Sequence, residues 1–106
     1  MDRPRVMRVL RNWEKGFVKA IIDRGVSKSK DDLPCKPCVF VLFNGDAIQY
    51  IGKSPCLHFR LRKWEFKVGP KNEKIPFDRC EWYRIVDSLV VSAYDYLVSY
   101  YEPPFK

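Results

Sequence analysis

The sequence predicts an α+β fold: a small three-stranded sheet flanked by helices, with an extra helix on the N-terminal side. Three observations carry this. The stretch "CVFVLFNGDAIQYI", residues 38 to 51, joins a buried-strand run to a return strand through an Asn-Gly-Asp hairpin signal. Apolar residues recur at helical spacing near both ends of the chain. No glycine-rich strand-to-helix fingerprint marks a doubly wound sheet, so few strands and several covering helices remain.

At 106 residues the chain suits one compact unit, divided into a basic amphipathic helix over 1–30 and a domain over 36–106. In the first segment Asp2 can cap, Pro4 fits the first turn and Gly25 stops the helix. Val6, Val9, Leu10, Trp13, Phe17 and Ile21 form the packing stripe; Arg5, Arg8, Arg11, Lys15 and Lys19 fall largely off it. Gly16 weakens the middle and allows a kink or a break.

"SKSKDDLP", residues 27 to 34, is a surface linker. The hairpin follows. Gly52 ends its second strand, and Ser54-Pro55 suits the start of a helix running to about Phe66, with Leu57, Leu61 and Trp64 on one side. "VGPKNEKIP" is a second basic loop, "RCEWYRIV" a third strand, and Asp87 or Ser88 caps a last helix. The inner positions of that helix are Val90, Val91, Tyr94, Leu97, Val98 and Tyr101, and it stops before Pro103-Pro104.

Charge narrows the function classes. The formal net charge is +7, with nine basic against three acidic residues over 1–30 and seven against two over 53–74. Two concentrated basic patches suit a polyanion, DNA or RNA, held by its backbone. No apolar run approaches a membrane span and no secretory signal is read, so the expected place is the cytoplasm, or the nucleus of a eukaryotic host. The four cysteines are then expected as reduced thiols. Cys35 and Cys38 have the spacing of a zinc pair, with Cys56 and Cys80 as further ligands, but structural thiols are the preferred reading.

Tyr50-Ile51-Gly52-Lys53-Ser54, followed by Leu57, Arg60 and Leu61 and by the late "LVSYYEPPFK", resembles the GIY-YIG nuclease family over residues 36–106. The resemblance implies a metal-assisted phosphodiester hydrolase using one divalent cation, Mg2+ or Mn2+. Two tyrosines lie beside the phosphate, a helical arginine stabilises the phosphorane, and a glutamate on the last helix holds the metal. Tyr50 matches the second tyrosine and Arg60 the arginine. The first-motif tyrosine is Phe40, which keeps the ring and loses the hydroxyl.

The metal-binding glutamate falls at Tyr94, and phenol is a poor ligand for a hard cation. Asp95 is one residue away, a rotation of about 100° on the helix. The family's late histidine and final asparagine fall near Trp64 and at Lys106.

The favoured reading is therefore a nuclease-like domain that binds nucleic acid without hydrolysing it. Lys53, Arg60, Lys63, Lys67, Lys71 and Lys74 would hold the backbone. Positions 60 and 63 share a helix face and 62 points elsewhere. His58 reads as a packed or exposed side chain before it reads as a base. One alternative is an active divergent endonuclease using Asp95 or another carboxylate. The other is a protein-binding adaptor presenting Tyr94, Tyr96, Tyr100 and Tyr101.

Overall fold

The computed structural model describes residues 6–16 and 19–105; Asp2, Pro4, Arg5, Phe17 and Lys106 lie outside them. The chain runs α1 (Val6–Glu14), β1 (Ile21–Ser27), β2 (Cys38–Asn44), β3 (Ala47–Ser54), α2 (Leu57–Arg60), β4 (Lys67–Val68), β5 (Glu73–Lys74), β6 (Arg79–Ile85) and α3 (Val90–Tyr101). Single 3-10 turns cover Lys30–Asp32 and Asp87–Leu89. It is an α+β fold whose main sheet is antiparallel, in the order β1-β6-β2-β3; β4 and β5 form a separate two-stranded ribbon.

The pattern of β2 explains the layering. Every residue from Cys38 to Phe43 is buried, which an inner strand covered on both faces requires. Alternation sends Val39, Val41 and Phe43 to a core shared with α1 and α3, and Cys38, Phe40 and Leu42 to a second core under α2 and the ribbon. In the first core Val6, Val9, Leu10 and Trp13 of α1 meet Val90, Ala93 and Leu97 of α3. Trp13 Nε1 donates to Ser92 Oγ at 3.0 Å, tying the two helices.

Several expectations are corrected. The segment 1–30 is not one helix: α1 ends at Glu14, and Ile21–Ser27 is an edge strand paired with β6. Gly16 marks the break, and the Glu14 carboxylate turns back to accept from the amides of Ala20 and Ile21, both at 2.8 Å. Those two backbone bonds hold the Glu14 carboxyl below the usual range. Ile21, Ile22 and Val26 are β-branched residues that fit a pleated strand. Gly25 is no helix stop; it lies opposite Trp82, and any Cβ there would collide with the indole.

The sheet therefore has four strands rather than three, and the N-terminal helix shares its core instead of standing beside it. The helix expected to reach Phe66 is a single turn, Leu57–Arg60, and Ser54 belongs to β3. The expected loop over 68–76 carries the ribbon, turned by Gly69 and Asn72 at φ 78° and 55°. On α3 Val91 faces outward at 55 % exposure, while Ala93 takes the buried place. The helix stops where expected, at a left-handed Glu102 just before Pro103.

A further correction concerns sulfur. Cys35 and Cys56 form a disulfide rather than two reduced thiols. Cys38 and Cys80 are free and buried in the second core. The Cys35/Cys38 zinc pair is thereby split, and among the described residues no cluster of His, Cys, Asp and Glu is arranged to hold a metal. No helix among them is long and apolar enough to cross a membrane.

Burial pushes the Cys38 thiol up to about 12, with Arg84 opposing, and raises Cys80 well above its ordinary value. An unfolded thiol ionises near 9.0, so the Cys38 contribution to stability is complete below that pH and is lost as pH climbs towards 12. Two outcomes are expected: iodoacetamide at pH 8 modifies neither thiol in the folded protein, and the melting temperature falls between pH 9 and 11. Rapid native alkylation at Cys38, read by mass spectrometry, would contradict the burial argument.

Candidate nucleic-acid interface

The site wraps the β3 edge of the sheet: Tyr94 packs against the first core, while Phe40, Tyr50 and Phe66 lie on the side of the second core. Alternation along β3 places Tyr50 there and Ile51 on the other face. Phe40 of the neighbouring strand lies 6.0 Å from Tyr50, ring centroid to centroid. Phe66 completes the group, 4.7 Å from Tyr50 and 5.9 Å from Phe40. Gly52 makes this approach feasible, for a Cβ on it would stand 2.6 Å from the tip of Phe40 and 2.7 Å from the Tyr50 ring.

Arg60 ends α2 and sets its guanidinium 4.6 Å above the Phe66 ring. From there it reaches the Tyr50 hydroxyl. Burial is the main cause that pushes the Tyr50 phenol up, Tyr94 adds to it, and the charge and hydrogen bonding of Arg60 pull the other way. Tyr94 comes to the same edge from α3, and the Lys53 ammonium lies 4.4 Å over its ring.

Phe40, Tyr50, Arg60 and Tyr94, named from separate segments of the sequence, are thus brought together. Lys53 joins them. Of the remaining expected contacts, Lys63 and Lys67 line a groove beside Arg60. Lys67 and Lys74 pair with Glu65, at 3.8 and 3.5 Å, and Lys71 is exposed in the ribbon turn. His58 and Asp95 are exposed.

Four features escaped the sequence reading. Phe66 was the end of an expected helix, whereas the chain turns through a left-handed Trp64 (φ 52°) and returns Phe66 beneath Arg60. Arg62 was expected to point away from Arg60 and Lys63, yet all three line one groove because the helix has already ended at residue 60. The Cys35–Cys56 pairing had no spacing signal; only the fold brings the loop before β2 to the start of α2. Phe59, exposed beside these cations, carried no weight in sequence as a lone apolar residue.

Compared with family models, with curated proteins and with solved structures, the chain matches none of them.

Proposed function

We propose that this domain binds the sugar-phosphate backbone of DNA or RNA and does not hydrolyse it. The observation that carries this reading is a cation on each side of the Tyr50–Tyr94 edge, the Lys53 ammonium over Tyr94 and the Arg60 guanidinium against Tyr50. Where the GIY-YIG resemblance would have a carboxylate holding Mg2+ or Mn2+, the side chains here are a phenol and an ammonium. A hard divalent cation takes carboxylate and other oxygen ligands, and a fixed ammonium repels it. The donor set does not fit the metal, and the Lys53 and Arg60 cations suit a phosphate.

The endonuclease alternative would need Asp95 to turn about 100° around α3 or a carboxylate from elsewhere. Glu81 is already committed, accepting from Tyr83 at 2.7 Å and from Arg79 at 3.4 Å. The adaptor alternative draws on exposed Tyr96 and Tyr100. We place the function where nucleic acid is met, in the cytoplasm or a nucleus, where the Cys35–Cys56 bond would be kept open and binding would have the weaker affinity of the reduced form.

Fluorescence anisotropy with labelled oligonucleotides at 50 and 200 mM salt tests the proposal. Binding is expected at the lower salt and a steep loss at the higher. Arg60→Ala removes a charge-assisted contact of about 1.5–3 kcal/mol and should weaken binding roughly 10- to 150-fold. Supercoiled plasmid should stay intact with Mg2+ or Mn2+. Nicking that disappears in Arg60→Ala would overturn the non-hydrolytic reading, and absence of binding at low salt would leave the adaptor.

A further inference from the structure

Beside Arg60 the surface opens into a groove of about 370 Å³, and its lining is unusual in composition. Four cations face it: Arg60, Arg62, Lys63 and Lys67. Its one carboxylate, Glu65, is engaged by Lys67 and Lys74. Among the described residues Arg60, Arg62 and Lys63 have no salt-bridge partner, so no carboxylate neutralises their charge.

Phe59 stands at the groove wall with 64 % of its surface exposed, the largest exposure among the exposed large apolar side chains of the described residues. It belongs to the outward side of α2, whose inward residues Leu57 and Leu61 are fully buried. The Arg62 guanidinium lies 4.6 Å from the Phe59 ring centroid and covers part of it. An exposed ring flanked by unpaired cations has the chemistry of a stacking platform beside a phosphate track.

Resting on the nucleic-acid reading above, we infer that the preferred ligand is single-stranded nucleic acid, with an unpaired base stacked on Phe59 and its flanking phosphates on Arg60, Arg62 and Lys63. A duplex keeps its bases stacked on one another and offers this ring no face. A single strand offers both the base and the phosphates. The groove carries no set of groups that would read base edges, so the contact is indifferent to sequence.

The test compares (dT)12, (U)12 and a 12-base-pair duplex by anisotropy at fixed salt, with wild type, Phe59→Ala and Phe59→Trp. Phe59 is exposed, so both variants should melt with the wild type. Either single strand should bind more tightly than the duplex. Phe59→Ala should weaken single-strand binding by roughly 5- to 150-fold with duplex affinity unchanged, and Phe59→Trp should retain it. The two single strands separate DNA from RNA.

Equal affinity for duplex and single strand, or an equal loss of both in Phe59→Ala, overturns this inference while the backbone-binding function stands. Failure of all three ligands at low salt overturns both. A protein partner captured through Phe59 without nucleic-acid binding does the same.

Discussion

Breaking the Cys35–Cys56 bond is expected to lower stability by about 3 kcal/mol, the chain-entropy value for a loop of this size, since the two cysteines are 21 residues apart. For a domain of about 100 residues that is a fall in melting temperature of roughly 12–24 °C. The effect should not be confined to the global fold. Helix α2 is one turn long and Cys56 makes no side-chain cap to it. Its start is tied down by the disulfide and by the His58 amide, which donates to the Pro34 carbonyl at 3.0 Å. Buried Leu57 and Leu61 anchor its inner side. Arg60 and the groove follow directly from that turn, so reduction should loosen nucleic-acid binding as well. Melting wild type and Cys56→Ala with and without dithiothreitol checks this: wild type should respond and the variant should not. Equal melting of oxidised and reduced wild type would remove the bond from the account of stability.

What could be read in the sequence follows from how local each signal is. The β2–β3 hairpin was legible because its turn and its two apolar runs are adjacent; the structure pairs the two strands from Asn44–Ala47 out to Cys38–Ser54, carrying β3 past Gly52, where its end was expected. The last helix was legible because most of its stripe and its proline stop agree, although it begins after a 3-10 turn over Asp87–Leu89 with no side-chain cap from the expected Asp87 or Ser88. Ile21 illustrates the opposite case. It sits at a helical interval from Trp13, but also begins a β-branched run, and only the edge of β6 decides between them. Helix α2 failed for a related reason: Leu57, Leu61 and Trp64 have helical spacing, yet Trp64 is positioned by a left-handed turn and by its contact with Phe77, 4.9 Å away.

Candidate site residues were legible one at a time through the GIY-YIG resemblance. Their convergence was not, because it depends on Phe66 returning beneath Arg60 and on α3 bringing Tyr94 to Lys53. The groove was least legible of all. Arg62 and Lys63 read as an ordinary solvated run until the early end of α2 turns them toward Arg60. Long-range geometry, rather than residue type, separates a charged surface from a charged site here.

Gly52→Ala should damage the fold and the site together, and the two effects can be separated. The added Cβ meets Phe40 at 2.6 Å and Tyr50 at 2.7 Å, so at least one ring must move. Phe40 is fully buried in the second core with Phe66 against it and cannot shift without repacking that core. Tyr50 is half-buried at the sheet edge, and it is the ring that can swing away. The substitution is therefore expected to cost about 1–3 kcal/mol, typical of overpacking, and to pull Tyr50 from Arg60 and Tyr94, weakening nucleic-acid binding. Combining it with Phe40→Leu tests the cause. The shorter side chain gives the Cβ room, so the double variant should lose less stability than the two single losses added together. Its binding should rise above that of Gly52→Ala alone as Tyr50 returns. Strict additivity in both melting and binding would mean that Gly52 is needed for something other than space between Phe40 and Tyr50.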